Sequence, residues 1–329
     1  MYDSLRNRIF SINGHEDFVS VALDVFRYQY KKNPLYKAFS DHLRRSPDSV
    51  GNLEEIPFLP VEFFRNHIVL SDKFPVDIIF ESSGTTDAKP GRHFVKDLRL
   101  YEESFMKGFR SFYGNPEDFI IAALLPSYDE RRGSSLIYMA DRLINKSNHK
   151  LSGFYRDNIK EFVDEVSSKT FPGKRILLLG VSFALLDLAE HQSPDLSGAI
   201  VMETGGMKGR RKEITRAELH DILRKQFRLE TIHSEYGMTE LMSQAYSPGD
   251  GIFHSPAWMK VLIRDPQDPL AVHCEPGRTG GLNLIDLANI NSCSFLATGD
   301  LGKLHPNGGF EVLGRFDNSD IRGCNLMVE

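Results

Sequence analysis

Four hydroxyls, two glycines and a lysine crowd into Glu81-Ser82-Ser83-Gly84-Thr85-Thr86-Asp87-Ala88-Lys89-Pro90-Gly91. Such a stretch offers a polyanion side-chain donors, close backbone approach and a compensating charge. It follows Val76-Asp77-Ile78-Ile79-Phe80, an apolar run of strand character, which puts the loop where ligands gather at a sheet. The Walker A pattern requires Gly-Lys-Ser/Thr opening a helix, whereas Lys89 precedes Pro90 and is biased away from helical geometry. The stretch is therefore a nucleotide loop of another kind or an ordinary turn.

Three further clusters carry chemistry. His233-Ser234-Glu235-Tyr236-Gly237-Met238-Thr239-Glu240 brings together a ring able to stack on a base, a hydroxyl for a phosphate oxygen and a carboxylate for a hard cation. Thr239 and Glu240 capping a helix is the plainer alternative. Thr298-Gly299-Asp300-Leu301-Gly302 sets a carboxylate on an apparent tight turn, suited to two vicinal hydroxyls or to the turn alone. Gly314-Arg315-Phe316-Asp317-Asn318-Ser319-Asp320-Ile321-Arg322-Gly323 supplies a cation.

The elements that must position these groups alternate for most of the chain. Phe18, Ala22 and Val25 recur at helical spacing from 17 to 30, and Lys31-Lys32-Asn33-Pro34 is a stop signal. Pro57 and Pro60 exclude a helix through the apolar segment 56–64, which reads as core packing. Arg92 to Val95 is a return strand, and Leu98, Tyr101, Phe105, Phe109 and Phe112 mark one face of a helix. Strands at 119–125, 175–179 and 198–203 alternate with helices that open at Gly133-Ser134-Ser135, at Ser182 and near the capping box Thr215-Arg216-Ala217-Glu218. The expected fold is α/β: layered, mainly parallel sheets covered by helices. Beyond residue 250 the pattern changes to short strands at 259–264, 281–287 and 294–298, followed by a hairpin over 303–313 that turns at Asn307-Gly308-Gly309. The division expected is 1–250, a helical entry and nucleotide-binding core, and 251–329, a small mostly antiparallel unit completing the site.

With 329 residues, a net charge of −5 and 26% charged residues, the chain reads as globular. Its basic residues are scattered apart from Arg210-Arg211-Lys212, a solvated helix approach, so no surface that tracks nucleic acid is expected. Cys274, Cys293 and Cys324 are too few and too uneven for a disulfide framework or zinc site, which points to a reducing compartment. Neither a signal peptide nor a run of membrane-spanning length is visible, so the expectation is a soluble, cytoplasmic protein.

The serial order of the motifs says more than any one of them. Ser82-Ser83-Gly84-Thr85-Thr86 with Lys89, Gly205-Gly206, Tyr236-Gly237-Met238-Thr239-Glu240, Thr298-Gly299-Asp300, and Gly314-Arg315 with Asp317 and Asp320 together resemble the core motifs of the adenylate-forming superfamily. Ile321-Arg322-Gly323-Cys324-Asn325-Leu326 is similar to the hinge of its phenylacetate-CoA ligase branch. Pro57-Phe58-Leu59-Pro60-Val61-Glu62-Phe63-Phe64, Arg92-His93 and Pro126-Ser127-Tyr128 resemble the acyl-protein synthetase (LuxE) family more closely still, over roughly residues 50 to 329.

The resemblance implies ATP and Mg2+ as cofactors. Ser82, Ser83, Gly84, Thr85, Thr86 and Lys89 would enclose the phosphates, while Gly205, Gly206, Tyr236 and Gly237 would form the adenine slot. Thr239 would lie near the α-phosphate, Glu240 on magnesium, and Asp300 with Arg315 on the ribose. Thr86, Lys89, Glu240 and Cys324 are the candidate catalytic groups, Cys324 as the candidate acyl carrier. The substrate implied is a fatty acid or another carboxylic acid. The acceptor implied is a thiol on a reductase-like or carrier protein, with acyl- or aryl-CoA ligation or a non-catalytic adenylate-binding module as alternatives. His93 and the Ser134-Ser135 helix start fall near the family's site region and read as structural. The six residues after Gly323 are fewer than the superfamily's mobile lysine-bearing lid, so the expected fold is its N-terminal domain without that lid.

Overall fold

The computed structural model describes residues 2–72, 75–82, 89–156, 158–206, 211 and 214–316. Three helices, Tyr2–Ile9, His15–Lys32 and Pro34–His42, open the chain. The stop read at 31–34 is also a start: Asn33 ends one helix, and its side chain accepts the Tyr36 N–H to cap the next, with Pro34 at the first helical position.

A six-stranded sheet runs Gly153–Phe154, Phe119–Leu124, Arg175–Val181, Ala199–Thr204, His233–Tyr236, Ala245–Ser247. The first five strands are parallel, and Ala245–Ser247 closes the sheet antiparallel. Phe119–Leu124 shows why these strands are apolar throughout. Phe119, Ile121 and Ala123 enter one core, while Ile120, Ala122 and Leu124 enter another on the opposite face. Helices Ser135–Ser147, Ile159–Ser168, Ser182–His191 and Arg216–Phe227 lie between successive strands. The capping box read at Thr215 and Glu218 is formed, with both reciprocal hydrogen bonds. Ile159–Ser168 was not anticipated from the sequence.

A seven-stranded sheet holds the later strands in the order Ile252–Phe253, Phe310–Arg315, Phe295–Leu304, Thr279–Asp286, Met259–Arg264, Val272–His273, with Leu59–Pro60 added parallel to Phe295–Leu304. The proline-punctuated segment thus contributes a short strand and then the helix Phe63–Asn66. One apolar cluster runs from Leu5 through Phe109 and Tyr236 to Phe310, joining both large sheets and the entry helices. Among the described residues no helix is long and apolar enough to cross a membrane.

Candidate functional site

The hydroxyl-rich loop is the tip of a two-stranded hairpin, Ile78–Glu81 against Arg92–Val95. Its ends are locked together, because the Ser82 N–H donates to the Gly91 carbonyl at 3.0 Å and the Gly91 N–H donates to Ser82 Oγ at 2.8 Å. Ser83, Gly84, Thr85 and Thr86 lie outside the described residues, and Lys89 is exposed. At the loop's base the Glu240 carboxylate comes so close that a Cβ on Gly91 would stand 2.5 Å from Glu240 Oε1 and 3.4 Å from Ser82 Oγ. Glycine at 91 is what admits the carboxylate. Gly91→Ala is therefore expected to displace a flexible carboxylate rather than the backbone. Its melting temperature should stay close to that of the unaltered protein while any turnover that uses the Glu240 carboxylate falls about 10- to 100-fold, a split that paired thermal-shift and turnover assays would read.

Glu240 sits in a turn, not at the start of a helix, and buried polar side chains fix that turn from both sides. His93 Nδ1 lies 2.8 Å from the Thr239 carbonyl, a geometry that requires its proton, and Asn289 Nδ2 donates to the Glu240 carbonyl at 2.7 Å. Burial lowers the His93 pKa to about 4, so the ring is neutral at physiological pH and positions the turn rather than exchanging protons. On the far side Asp286 accepts the N–H groups of Met242 and Ser243 at 2.7 and 3.0 Å and the Ser243 hydroxyl at 2.6 Å. Neither residue was singled out in the sequence: Asp286 fell inside the strand read at 281–287, and Asn289 fell in the apolar stretch after it.

Burial pushes the Glu240 carboxyl above its ordinary value, and Arg65 and Arg315 act in the opposite direction through space. No group of three or more His, Cys, Asp or Glu among the described residues forms a metal cage. A single buried carboxylate at the base of the hydroxyl-rich hairpin fits a magnesium ion that takes its remaining ligands from elsewhere, since that ion is usually held by one or two carboxylates plus substrate oxygens.

Thr298-Gly299-Asp300 belongs to the continuous strand Phe295–Leu304 instead of a tight turn. The strand pairs through Asp300 directly opposite Arg315, with a register shift between Leu301 and Gly302. On the Thr279–Asp286 edge the register passes from Asn283 opposite Ala297 to Gly281 opposite Leu301, so Thr298-Gly299-Asp300 bulge out of that ladder, and the Gly-Asp step bends the strand without ending it. Asp300 accepts the Tyr236 hydroxyl at 2.8 Å and lies 3.5 Å from Arg315 Nε. The Tyr236 ring meets Phe253 and Phe310 edge-on. Tyr236, Asp300 and Arg315 thus form one connected group, although their strands belong to different sheets. Gly205 and Gly206 follow Ala199–Thr204 and are exposed, and Ser182 Oγ donates to the Gly205 carbonyl at 2.7 Å. Gly237 is exposed and Thr239 half-buried. Cys324, Asp317 and Asp320 lie outside the described residues. Cys293 is buried, and Cys274 donates to Glu54.

Arg216 was read only as part of a helix start, yet it ties the two large sheets together beside this site. Its Nε donates to the buried Glu203 at 3.0 Å and its Nη1 to the Val312 carbonyl at 3.0 Å, and the guanidinium stands 4.9 Å from the Phe253 ring centre.

Asp286 yields a pH-dependent expectation. Burial raises its pKa from 3.8 to about 6 against the pull of its donors. Between those values the folded state binds more protons than the unfolded state, so this group's contribution to stability is complete below about pH 4 and falls as pH rises to about 6. Asp286→Asn, which carries no titrating group, should lack that fall of at most about 3 kcal/mol, measurable as the difference between the two proteins' urea stabilities from pH 3.5 to 7.

No family model matches the sequence, and no curated protein matches it. Solved structures match the fold. The ATP-bound MatB from Rhodopseudomonas palustris superposes with a TM-score of 0.51 at 18% identity, over 74% of this chain and 49% of that one. A 2-hydroxyisobutyryl-CoA ligase in an open conformation, in complex with 2-HIB-AMP and CoA, gives 0.60 at 14% identity over 93% and 72%. In its postadenylation state with R3-HIB-AMP the same ligase gives 0.61 at 14% identity over 95% and 70%. The chain spans about half the length of MatB. At these identities the likeness establishes the fold, that of adenylate-forming enzymes, consistent with the N-terminal domain.

Proposed function

We propose that this chain activates a carboxylic acid with ATP as the acyl-adenylate and passes the acyl group to a thiol. The observation that carries the reading is the convergence of separated segments. The base of the hydroxyl-rich loop meets Glu240 at Gly91, and Tyr236, Asp300 and Arg315 bond to one another across two sheets. The similar structures, an ATP-bound MatB and a CoA ligase in complex with an adenylate, support the same chemistry. Ser82 and the loop through Lys89 would hold the phosphates, Thr239 would face the α-phosphate, and Asp300 with Arg315 would take the ribose hydroxyls. Magnesium on Glu240 would neutralise charge developing on the departing pyrophosphate. The chain's own work is positioning, which His93, Asn289 and Asp286 perform on the Thr239–Glu240 turn.

For the acceptor we propose a protein thiol, on the resemblance to acyl-protein synthetases, with a reductase-like or carrier protein as partner and the cytoplasm as its place. The CoA ligases among the similar structures support CoA as the competing acceptor. Acid-dependent ATP–pyrophosphate exchange tests the first step, and its absence with every acid and partner would remove the reading in favour of a nucleotide-binding module. Labelled acid incubated with ATP and either CoA or candidate proteins tests the second step, by where the label ends.

A further inference from the structure

The bulge that carries Asp300 is held by a side chain from two strands away. On the Thr279–Asp286 edge Leu282 alone stands between Gly281, opposite Leu301, and Asn283, opposite Ala297, whereas Phe295–Leu304 uses Thr298, Gly299 and Asp300 over the same interval. The ladder therefore leaves the backbone groups of these three residues without regular partners on that edge. Side chains take up the gap. Thr298 Oγ1 donates to the Leu282 carbonyl at 2.9 Å and accepts the Asp300 N–H at 3.1 Å. Arg264 Nη2 donates to the Thr298 carbonyl at 2.9 Å, and its Nη1 donates to Asn283 Oδ1 at 2.7 Å. On the other edge the Phe316 N–H donates to the Gly299 carbonyl at 2.8 Å.

Arg264 reaches the bulge because the strand between them has no side chain in its path. Arg264 lies opposite Gly281 and Leu262 opposite Asn283, so Arg264, Gly281 and Asn283 share one face of the sheet. A Cβ on Gly281 would stand 2.6 Å from Arg264 Nη2 and 2.8 Å from its Cζ, so the guanidinium fills the space that any other residue at 281 would need. It also stands 5.7 Å from the centre of the Phe316 ring. A long cationic side chain can turn its head to water, and this one is turned inward at a cost. Burial opposes its charge, with Glu62 supporting it through space. Asn283, 1% exposed, presents its oxygen to Arg264 while its Nδ2 has no partner.

We infer that Arg264 is a positioning residue for the nucleotide: its guanidinium, laid across Gly281, replaces the ladder bonds absent at Thr298 and so fixes where the Asp300 carboxylate stands. The inference rests on the reading of Asp300 as the ribose ligand and deepens it. The Asp300 N–H is tied to Thr298, so a shift of Thr298 moves the Asp300 backbone with it. Without Arg264 the Thr298 carbonyl loses its donor, and glycine at 299 lets the step relax. A carboxylate displaced by about 1 Å no longer meets two vicinal hydroxyls at hydrogen-bonding distance. Arg264 acts through Asp300 and not on the substrate itself.

The test is acid-dependent pyrophosphate exchange by the full chain with ATP and with 2′-deoxy-ATP, on Arg264→Met, Gly281→Ala, the double variant and Asp300→Ala. Arg264→Met keeps the stem and removes the donors. Gly281→Ala keeps every donor and pushes the guanidinium off the bulge, so it reads the same contact even if Arg264→Met folds poorly. The expected result is a preference for ATP of at least about 10-fold in kcat/KM in the unaltered protein. It should fall to about 3-fold or less in Arg264→Met, Gly281→Ala and Asp300→Ala alike, with the double variant no worse than Arg264→Met. General loosening lowers both nucleotides together and leaves the ratio where it was. An unchanged ratio in either Arg264→Met or Gly281→Ala, with the ratio lost in Asp300→Ala, therefore overturns the inference and leaves the ribose reading standing. A ratio kept in Asp300→Ala, or near one in the unaltered protein, removes the ribose reading and the inference with it. If no acid supports exchange, the adenylation reading falls, and ITC with the two nucleotides reads the ratio as affinities. The same pattern of loss then supports the positioning role, and a ratio kept in Arg264→Met, or no binding of either nucleotide, overturns it.

Discussion

Glu240→Gln is expected to lower acid-dependent exchange by on the order of 10^2- to 10^3-fold at saturating magnesium, with little change in melting temperature. The amide is nearly isosteric, so it fits the space that Gly91 leaves beside Ser82. It removes the one negative charge that the turn presents to a cation. Because burial raises the pKa of Glu240, protons compete with a metal for this carboxylate at higher pH than they would in water. Exchange by the unaltered protein should therefore fall as pH drops toward that raised value, with the apparent magnesium affinity falling alongside it. The Gln variant should show neither dependence. A variant with full activity and the same acid limb would remove Glu240 from the reaction.

The stability side of the same shift has the opposite sign. A carboxyl with a raised folded pKa opposes folding once ionised, so Glu240→Gln should gain a little stability relative to the parent as pH rises above the carboxylate range. Activity lost while stability is held or gained separates a functional carboxylate from a structural one.

Elements with one strong periodic signal were legible in the sequence. Helix Leu98–Tyr113 followed from its aromatic stripe, and Met259–Arg264 was placed with the bounds the structure gives it. The hairpin carrying the hydroxyl-rich loop was legible too, since Ile78–Glu81 and Arg92–Val95 flank it symmetrically. What failed to show were elements whose residues serve the site. His233–Tyr236 has no apolar alternation because Glu235 and Ser234 are buried polar groups bonded to other elements. The strand through Asp300 looked broken because Thr298-Gly299-Asp300 is a bulge on one edge, and a bulge of glycine and aspartate carries the same local signal as a turn until its partner strands are known. The supports of the Thr239–Glu240 turn come from positions 93, 286 and 289, a convergence that only the tertiary fold creates.

Asp300→Ala is expected to raise the KM for ATP by about 100-fold while leaving the KM for the acid nearly unchanged, because the role proposed for Asp300 is on the ribose alone. Two effects combine in this variant. The carboxylate proposed to hold the ribose is lost, and the buried Tyr236 hydroxyl loses its acceptor at 2.8 Å, which costs about 1–3 kcal/mol of stability. Asp300→Asn separates them, since its amide oxygen still accepts from Tyr236 while the charge facing Arg315 is gone. If the ribose role is right, Asn restores the melting temperature but only part of the ATP affinity. If Asp300 serves only to anchor Tyr236, Asn restores both, and ITC with ATP on the two variants distinguishes the outcomes. A rise confined to the ATP constant is the sharper criterion, because a general loosening of the strand Phe295–Leu304 would raise both constants together.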